Sequence, residues 1–343
     1  MNSTPFKTLH VSLETNSNEF GSDEHPHTVV TDFTHSVGER AVVLGGGGAA
    51  GNAWLIGVIA GLFDGGIDVT AADLMVGTSA GATAAAQITA ARPPQLPQLS
   101  QLYEEILSAP VSLPGSAPGR ATAAQGHGPV HGPLGSMVDH LQRTNDVIAA
   151  ADGPVDVRRR LAASVLELDD AFDLERQAQW RATVARRLPS PLWPRQSVLI
   201  TVVDARTGDP VVFDQHSGID LVDAVAASTA GGAPFTIGGV PYFDGGYRRS
   251  SENADLAVGH RRVLVLSPFG GRTRMPLDWN MHLAPQLDEL RASGSAVETV
   301  VPDDVAVEAF GGNMMNLAAR APAARAGFSQ GRARAAELAD FWG

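Results

Sequence analysis

Gly77-Thr78-Ser79-Ala80-Gly81 has the spacing G-x-S-x-G, in which a serine is presented on a sharp turn between a strand and a helix. Ser79 would then sit at a helix N-terminus, where backbone N–H groups and the dipole favour developing negative charge, as serine acyl transfer requires. The same five residues also describe a plain strand-to-helix turn with serine as N-cap. A second glycine cluster, Gly45 to Gly48 with Gly51, offers bare amides near a helix start. Gly46-Gly-Gly48-Ala-Ala-Gly51 fits the dinucleotide fingerprint G-x-G-x-x-G, which calls for an acidic residue at the end of the next strand. Here the next strand, Leu74-Met-Val76, runs into the serine turn instead. No Lys-Ser/Thr follows, so a Walker A loop is excluded. Amides without an acidic ribose ligand suit an oxyanion hole for a tetrahedral intermediate on Ser79.

A serine nucleophile needs a base. The chain has ten histidines, and a Ser-Asp-His order could be drawn from Ser79, Asp204 and His260 or His282. His127 and His131 lie among Gly and Pro, so their spacing does not place them on one helix face, and a metal pair there has little support. Asp244, in Pro241-Tyr-Phe-Asp244-Gly245-Gly246, is the stronger candidate. It follows a short aromatic strand and precedes two glycines that let a substrate approach, although Asp-Gly is also an ordinary turn.

The elements that must position these residues are legible in outline. Arg40-Ala-Val-Val-Leu44 reads as a strand, Ala49 to Phe63 as a helix, Leu74 to Val76 as a strand, and the Ala-rich stretch to Ala91 as a helix stopped by Pro93 and Pro94. Val198 to Val203 and Val211 to Phe213 flank Thr207-Gly-Asp209 and predict a hairpin. Asp220 to Ser228 is expected to be helical, Tyr242-Phe243 to end a strand, Arg262 to Leu266 to form another, and Asp303 to Arg320 and Arg332 to Phe341 to be helical. Between them, residues about 92–196 read as a mainly helical insertion. It contains a Gly/Pro-rich loop or flap at 110–135, either a lid over the site or a solvated excursion. Residues 1–36 read as a polar tail or extended segment, and 37–343 as one α/β domain carrying the insertion.

Composition narrows the function. With 25 Lys+Arg against 37 Asp+Glu, the net charge is −12, which argues against nucleic acid as a partner and against a membrane held mainly by anionic lipid. Apolar residues make up 44% and charged residues 18%, enough for a large core and too few charges for a wholly disordered chain. The absence of cysteine removes thiolate chemistry. The start lacks a basic segment followed by an apolar one, so no secretory signal is expected and a cytoplasmic location is. Leu74 to Ala91 is too rich in small and polar residues for a membrane span, so any membrane contact is expected to be peripheral.

The glycine loop, Gly77-Thr-Ser-Ala-Gly81 and Asp244-Gly-Gly246, in that order, resemble the patatin-like phospholipase family. The resemblance runs from about Arg40 to about Leu256, includes Ala227-Ser-Thr-Ala230 to Pro234 and Asn253-Ala-Asp-Leu256, and leaves the 92–196 segment uncovered. It implies a three-layer α/β/α sandwich, Ser79 as nucleophile, Asp244 as general base in a dyad without histidine, and the amides of Gly46, Gly47 and Gly48 as the oxyanion hole. Gly51, Gly77, Gly81, Gly245 and Gly246 would shape these motifs. The resemblance implies lipid acyl esters as substrates, of phospholipase A, lysophospholipase or esterase type, with no cofactor and no metal; acyl transfer to another acceptor would use the same residues. Two departures stand out. Ala50 occupies a position where many members carry Arg or Lys, and Gly231-Gly232 replaces a proline usual before the aspartate.

Overall fold

The computed structural model describes residues 37–90, 96–109, 133–168 and 170–343. The first strand, β1 (Gly38–Leu44), shows why its sequence is apolar without alternation. Val42 and Leu44 join one core, and Ala41 and Val43 join another on the opposite side. A strand covered on both faces has no solvent side to make polar.

After β1 come α1 (Gly48–Asp64), β2 (Leu74–Gly77), α2 (Ala80–Thr89), α3 (Leu96–Ser108), α4 (Pro133–Ala149), α5 (Pro154–Leu166) and α6 (Leu174–Arg187). The chain continues with β3 (Ser197–Asp204), β4 (Pro210–Phe213), α7 (Leu221–Ser228), β5 (Phe235–Ile237) and β6 (Val240–Asp244). It ends with β7 (His260–Leu266), α8 (Leu283–Ala292), β8 (Ala296–Val300), α9 (Asp304–Phe310) and α10 (Arg320–Trp342). Among the described residues, eight strands form one mixed sheet. Its parallel body runs β3-β2-β1-β7-β8, with β4, β5 and β6 antiparallel. Helices α1, α2, α7 and α10 cover one face, and α8 with the Ala254–Ala257 turn covers the other. This is the expected α/β/α sandwich.

Strand β3 decides where the functional motifs meet. Ile200 pairs with Gly77 of β2 and with Phe213 of β4, so β2 and β4 lie on opposite edges of β3. Val202 pairs with Val211 of β4 and with Asp244 of β6, so β6 also lies opposite β4. Strands β2 and β6 therefore run toward each other along the same edge of β3. Their C-terminal ends stop at Ile200 and Val202, two residues apart in register. Each motif sits at one of those ends.

Helix α1 is buried along nearly its whole length, because α10 crosses it at glycines. A Cβ on Gly57 or Gly61 would strike the Ala324 or Phe328 carbonyl, and one on Gly327 or Gly331 would strike those of Trp54 or Val58. The backbones touch, which holds α1 and α10 together along the later turns of α1.

Strands β1, β2, β3, β4, β6 and β7 and helices α1, α2 and α7 fall where the sequence predicts them. The helical reading of Asp303 to Arg320 is corrected: α9 ends at Phe310, where Gly311 adopts a φ of 62°, and α10 begins at Arg320 and absorbs the later helix. Helix α8, whose Leu283, Leu287 and Leu290 recur at helical spacing, and strand β8, only partly buried at the sheet edge, are not among the expected elements. Residues 1–36, and 110–132 of the Gly/Pro-rich loop, lie outside the described residues, but its last part is helical. Helix α4 opens at Pro133, since proline's fixed φ suits a first helical turn. No helix of the described residues is long and apolar enough to cross a membrane.

Candidate active site

Ser79 links β2 to α2 with φ 52° and ψ −113°, a backbone that residues with a Cβ rarely adopt. The flanking glycines make the turn possible by close approach. A Cβ on Gly81 would collide with the Leu44 carbonyl, and one on Gly77 would lie 2.6 Å from the Ala82 Cα. The strained turn lifts Ser79 to a partly exposed position while Thr78 and Ala80 stay buried. Its amide donates to Ser228 Oγ at 2.9 Å, and its hydroxyl donates to Asp244 Oδ2 at 2.8 Å.

Asp244 ends β6, and its other carboxylate oxygen accepts the Gly246 amide at 2.8 Å. Asp244 is partly buried, and desolvation pushes its carboxylate pKa up from 3.8 to about 6, while the bonds from Gly246 and Ser79 pull it partly back. Gly245 is required by sterics, since a Cβ there would strike the Thr201 carbonyl. Gly231, where many members of the resembling family carry proline, leaves room: a Cβ would stand 3.7 Å from Asp244 Oδ2, an ordinary contact.

The glycine loop adjoins Ser79, with the Cβ position of Gly46 3.6 Å from the Ser79 Cβ. The expectation that the amides of Gly46, Gly47 and Gly48 are all free needs correction. Gly46 donates to the Ser251 carbonyl at 2.7 Å, just as Gly45 donates to that of Leu266 at 3.0 Å. Among the described residues no acceptor takes the Gly47 or Gly48 amide. Gly48 has a φ of 60° at the start of α1, and a Cβ there would press on Met315 Sδ at 2.8 Å. Gly51 donates to the Gly47 carbonyl, closing the first turn.

A buried hub missing from the sequence reading ties the motifs together. Asn253, left-handed at φ 54°, donates from Nδ2 to Thr78 Oγ1 at 3.0 Å, to the Gly245 carbonyl at 2.9 Å and to Thr201 Oγ1 at 3.3 Å. One side chain thus spans the residue before Ser79, the residue after Asp244 and the strand between them. The sequence signals were its place in Asn253-Ala-Asp-Leu256, a segment of the family resemblance, and asparagine's tolerance of positive φ.

The rival triad does not assemble. His260 pairs with Gly38 at the start of β7, whereas Leu266, level with Leu44 and Gly77, marks the end that carries Ser79. Six residues of strand separate them, about 20 Å. His282 heads α8, its carbonyl accepting from Gln286, and among the described residues neither histidine bonds to Ser79 or Asp244. Asp204 is taken by Arg206, which donates from its amide, Nε and Nη2 at 2.8, 3.2 and 2.7 Å. His127 and His131 lie outside the described residues. The dinucleotide fingerprint also loses its setting, since β2 ends in the Ser79 turn without an acidic ribose ligand.

The family model described as patatin-like phospholipase matches residues 42–258, more than half of the chain. The chain belongs to this family. No curated protein matches it. Among solved structures, VipD from Legionella pneumophila is 13% identical at a TM-score of 0.39, with 88% of this chain and 67% of that one covered. The type III effector protein ExoU is 15% identical at 0.31, with 88% of this chain and 54% of its own covered, so this chain spans about half of its length. Against the patatin-like pattern, Ala50 is fully buried and its amide donates to the Met314 carbonyl at 2.9 Å. The loop is held without the cation that many members carry.

Proposed function

We propose that this patatin-like protein is a lipid acyl hydrolase that cleaves carboxylic esters through a Ser79 acyl-enzyme, with Asp244 as the general base. The observation that carries the reading is the 2.8 Å bond from Ser79 Oγ to Asp244 Oδ2 at a strained turn beside two amides with no acceptor among the described residues. As Oγ attacks the ester carbonyl, its proton passes to Asp244 and the carbonyl oxygen becomes an oxyanion facing the Gly47 and Gly48 amides. Collapse of that intermediate expels the alcohol, which takes the proton from Asp244, and leaves the acyl group on Ser79. Water then gives a proton to Asp244, attacks the acyl carbonyl and releases the fatty acid; the proton returns to Ser79.

A free aspartate is a weak base for a hydroxyl. The raised pKa of about 6 makes Asp244 a stronger base than a solvated one while leaving it mostly ionised at pH 7, which suits its role. The remaining rate must come from the preorganised amides. Acyl transfer differs only in the second acceptor, and no observation favours it over water.

The test is labelling by a fluorophosphonate, followed by a panel of phospholipids, lysophospholipids and short p-nitrophenyl esters. Ser79 should be the labelled residue, and Ser79→Ala should abolish both labelling and turnover. A folded Ser79→Ala protein that still hydrolyses esters near the unmodified rate would remove Ser79 from the reaction.

A further inference from the structure

Glu252 is 1% exposed and takes no part in the reaction described above. Its carboxylate accepts three hydroxyl bonds: Ser250 at 2.8 Å on Oε2, and Ser251 and Ser267, both at 2.7 Å, on Oε1. The arginines that precede it, Arg248 and Arg249, pair with Asp255 and Glu289 instead. Ser250 Oγ already accepts the amides of Glu252 and Asn253, and Ser267 Oγ accepts that of Gly271. Each hydroxyl has one proton, so these serines turn theirs to the carboxylate.

Oε1 joins the two walls of the glycine loop. On one side Ser251 holds the Gly46 amide through its carbonyl at 2.7 Å. On the other, Ser267 lies between Leu266, whose carbonyl holds the Gly45 amide, and Pro268, whose Cβ is 2.6 Å from the Cβ position of Gly47. Glu252 itself packs under the loop, its Cγ 3.4 Å from the Cβ position of Gly45. Among the described residues no cation pairs with Glu252, and a buried carboxylate held only by hydroxyls is a costly way to secure stability alone, because apolar residues of similar volume can do so without desolvating a charge.

We propose that Glu252 is a positioning residue for ester hydrolysis. It clamps Ser251 to Ser267 and so keeps the Gly47 and Gly48 amides aimed at the carbonyl oxygen of the substrate. The inference rests on the hydrolase reading for its consequence in turnover, while the clamp itself has a readout independent of turnover. Glu252→Gln keeps an Oε1 that can still accept both Ser251 and Ser267 and disturbs only the Ser250 bond, whereas Ser251→Ala/Ser267→Ala removes both ends of the clamp.

The experiment compares Glu252→Gln, Ser267→Ala and the double variant Ser251→Ala/Ser267→Ala with the unmodified chain. It measures p-nitrophenyl butyrate kinetics and hydrogen exchange in a peptide spanning residues 44–51. In Ser251→Ala/Ser267→Ala, kcat should fall about 10- to 100-fold with KM within about twofold, because the amides act on the transition state, while Glu252→Gln should cost less. Exchange of the 44–51 peptide should quicken, and Ser267→Ala should fall between. With kcat referred to active sites titrated by fluorophosphonate, general unfolding lowers the titre without slowing the remaining enzyme. If the double serine variant fails to fold, Ser267→Ala, which removes one end of the clamp, decides by the same two measurements. Unchanged loop exchange and kcat in a folded serine variant overturn the proposal. Faster loop exchange in a chain that shows no Ser79-dependent hydrolysis supports the clamp and overturns the hydrolase reading.

Discussion

Replacing Asp244 by Asn removes a charge that the folded protein holds at a disadvantage. The pKa of Asp244 rises from 3.8 to about 6, a shift of roughly 2 units, or about 3 kcal/mol in favour of the neutral form. Between those two pH values the folded chain keeps a proton that the unfolded chain has lost. Stability from this group therefore falls as pH rises from about 4 to about 6, and above pH 6 the folded state carries the full disadvantage. Asparagine is neutral throughout and its oxygen can still accept a bond from Gly246. Asp244→Asn should be more stable than the unmodified protein by up to about 3 kcal/mol at pH 7, and the gain should shrink toward zero near pH 4. Urea titrations of both proteins at pH values from 4 to 8 measure it. The same variant should lose several orders of magnitude in turnover, since an amide cannot take the Ser79 proton, and the unmodified enzyme should lose kcat/KM on acidification with a midpoint near 6. A stability difference that does not change with pH would refute the desolvation argument. An active Asp244→Asn enzyme would refute the dyad.

Ser79→Gly should abolish turnover yet raise stability by about 1 kcal/mol, because glycine relieves the strained φ and part of the gain is offset by entropy of the unfolded chain; thermal unfolding checks this. Asn253→Ala removes the side chain that links Thr78, Thr201 and the Gly245 carbonyl, leaving that carbonyl only the Arg248 amide, and loosens both motifs, so it should lower stability by about 2–4 kcal/mol and kcat together, read by denaturation and steady-state kinetics. His260→Ala should cost only local packing, with kcat within about twofold of the unmodified enzyme; silence in a well-folded variant would restore the histidine triad.

How much of this was legible in the sequence depends on the distance along the chain over which each feature acts. The Ser79 turn, the glycine loop and Asp244 with its glycines are short segments whose local sterics demand particular residues, so they stand in the sequence with their spacing intact. The strands flanking them are short apolar runs for the same reason: burial on both faces removes alternation. Which residues complete the site is another matter. Spacing did not exclude Asp204 with His260 or His282, although Asp244 was the stronger candidate, and strand register separates them, placing His260 at the far end of β7 and bringing β2 and β6 together along one edge of β3. Gly46, Gly47 and Gly48 look alike in sequence, yet Ser251, more than 200 residues later, takes the amide of the first. Ser228 and Asn253 lie in segments of the family resemblance, but no spacing assigns either a role, and Glu252 carries no motif. Their roles arise from hydrogen bonds across long stretches of chain, which exist only once the sheet has brought the partners within about 3 Å.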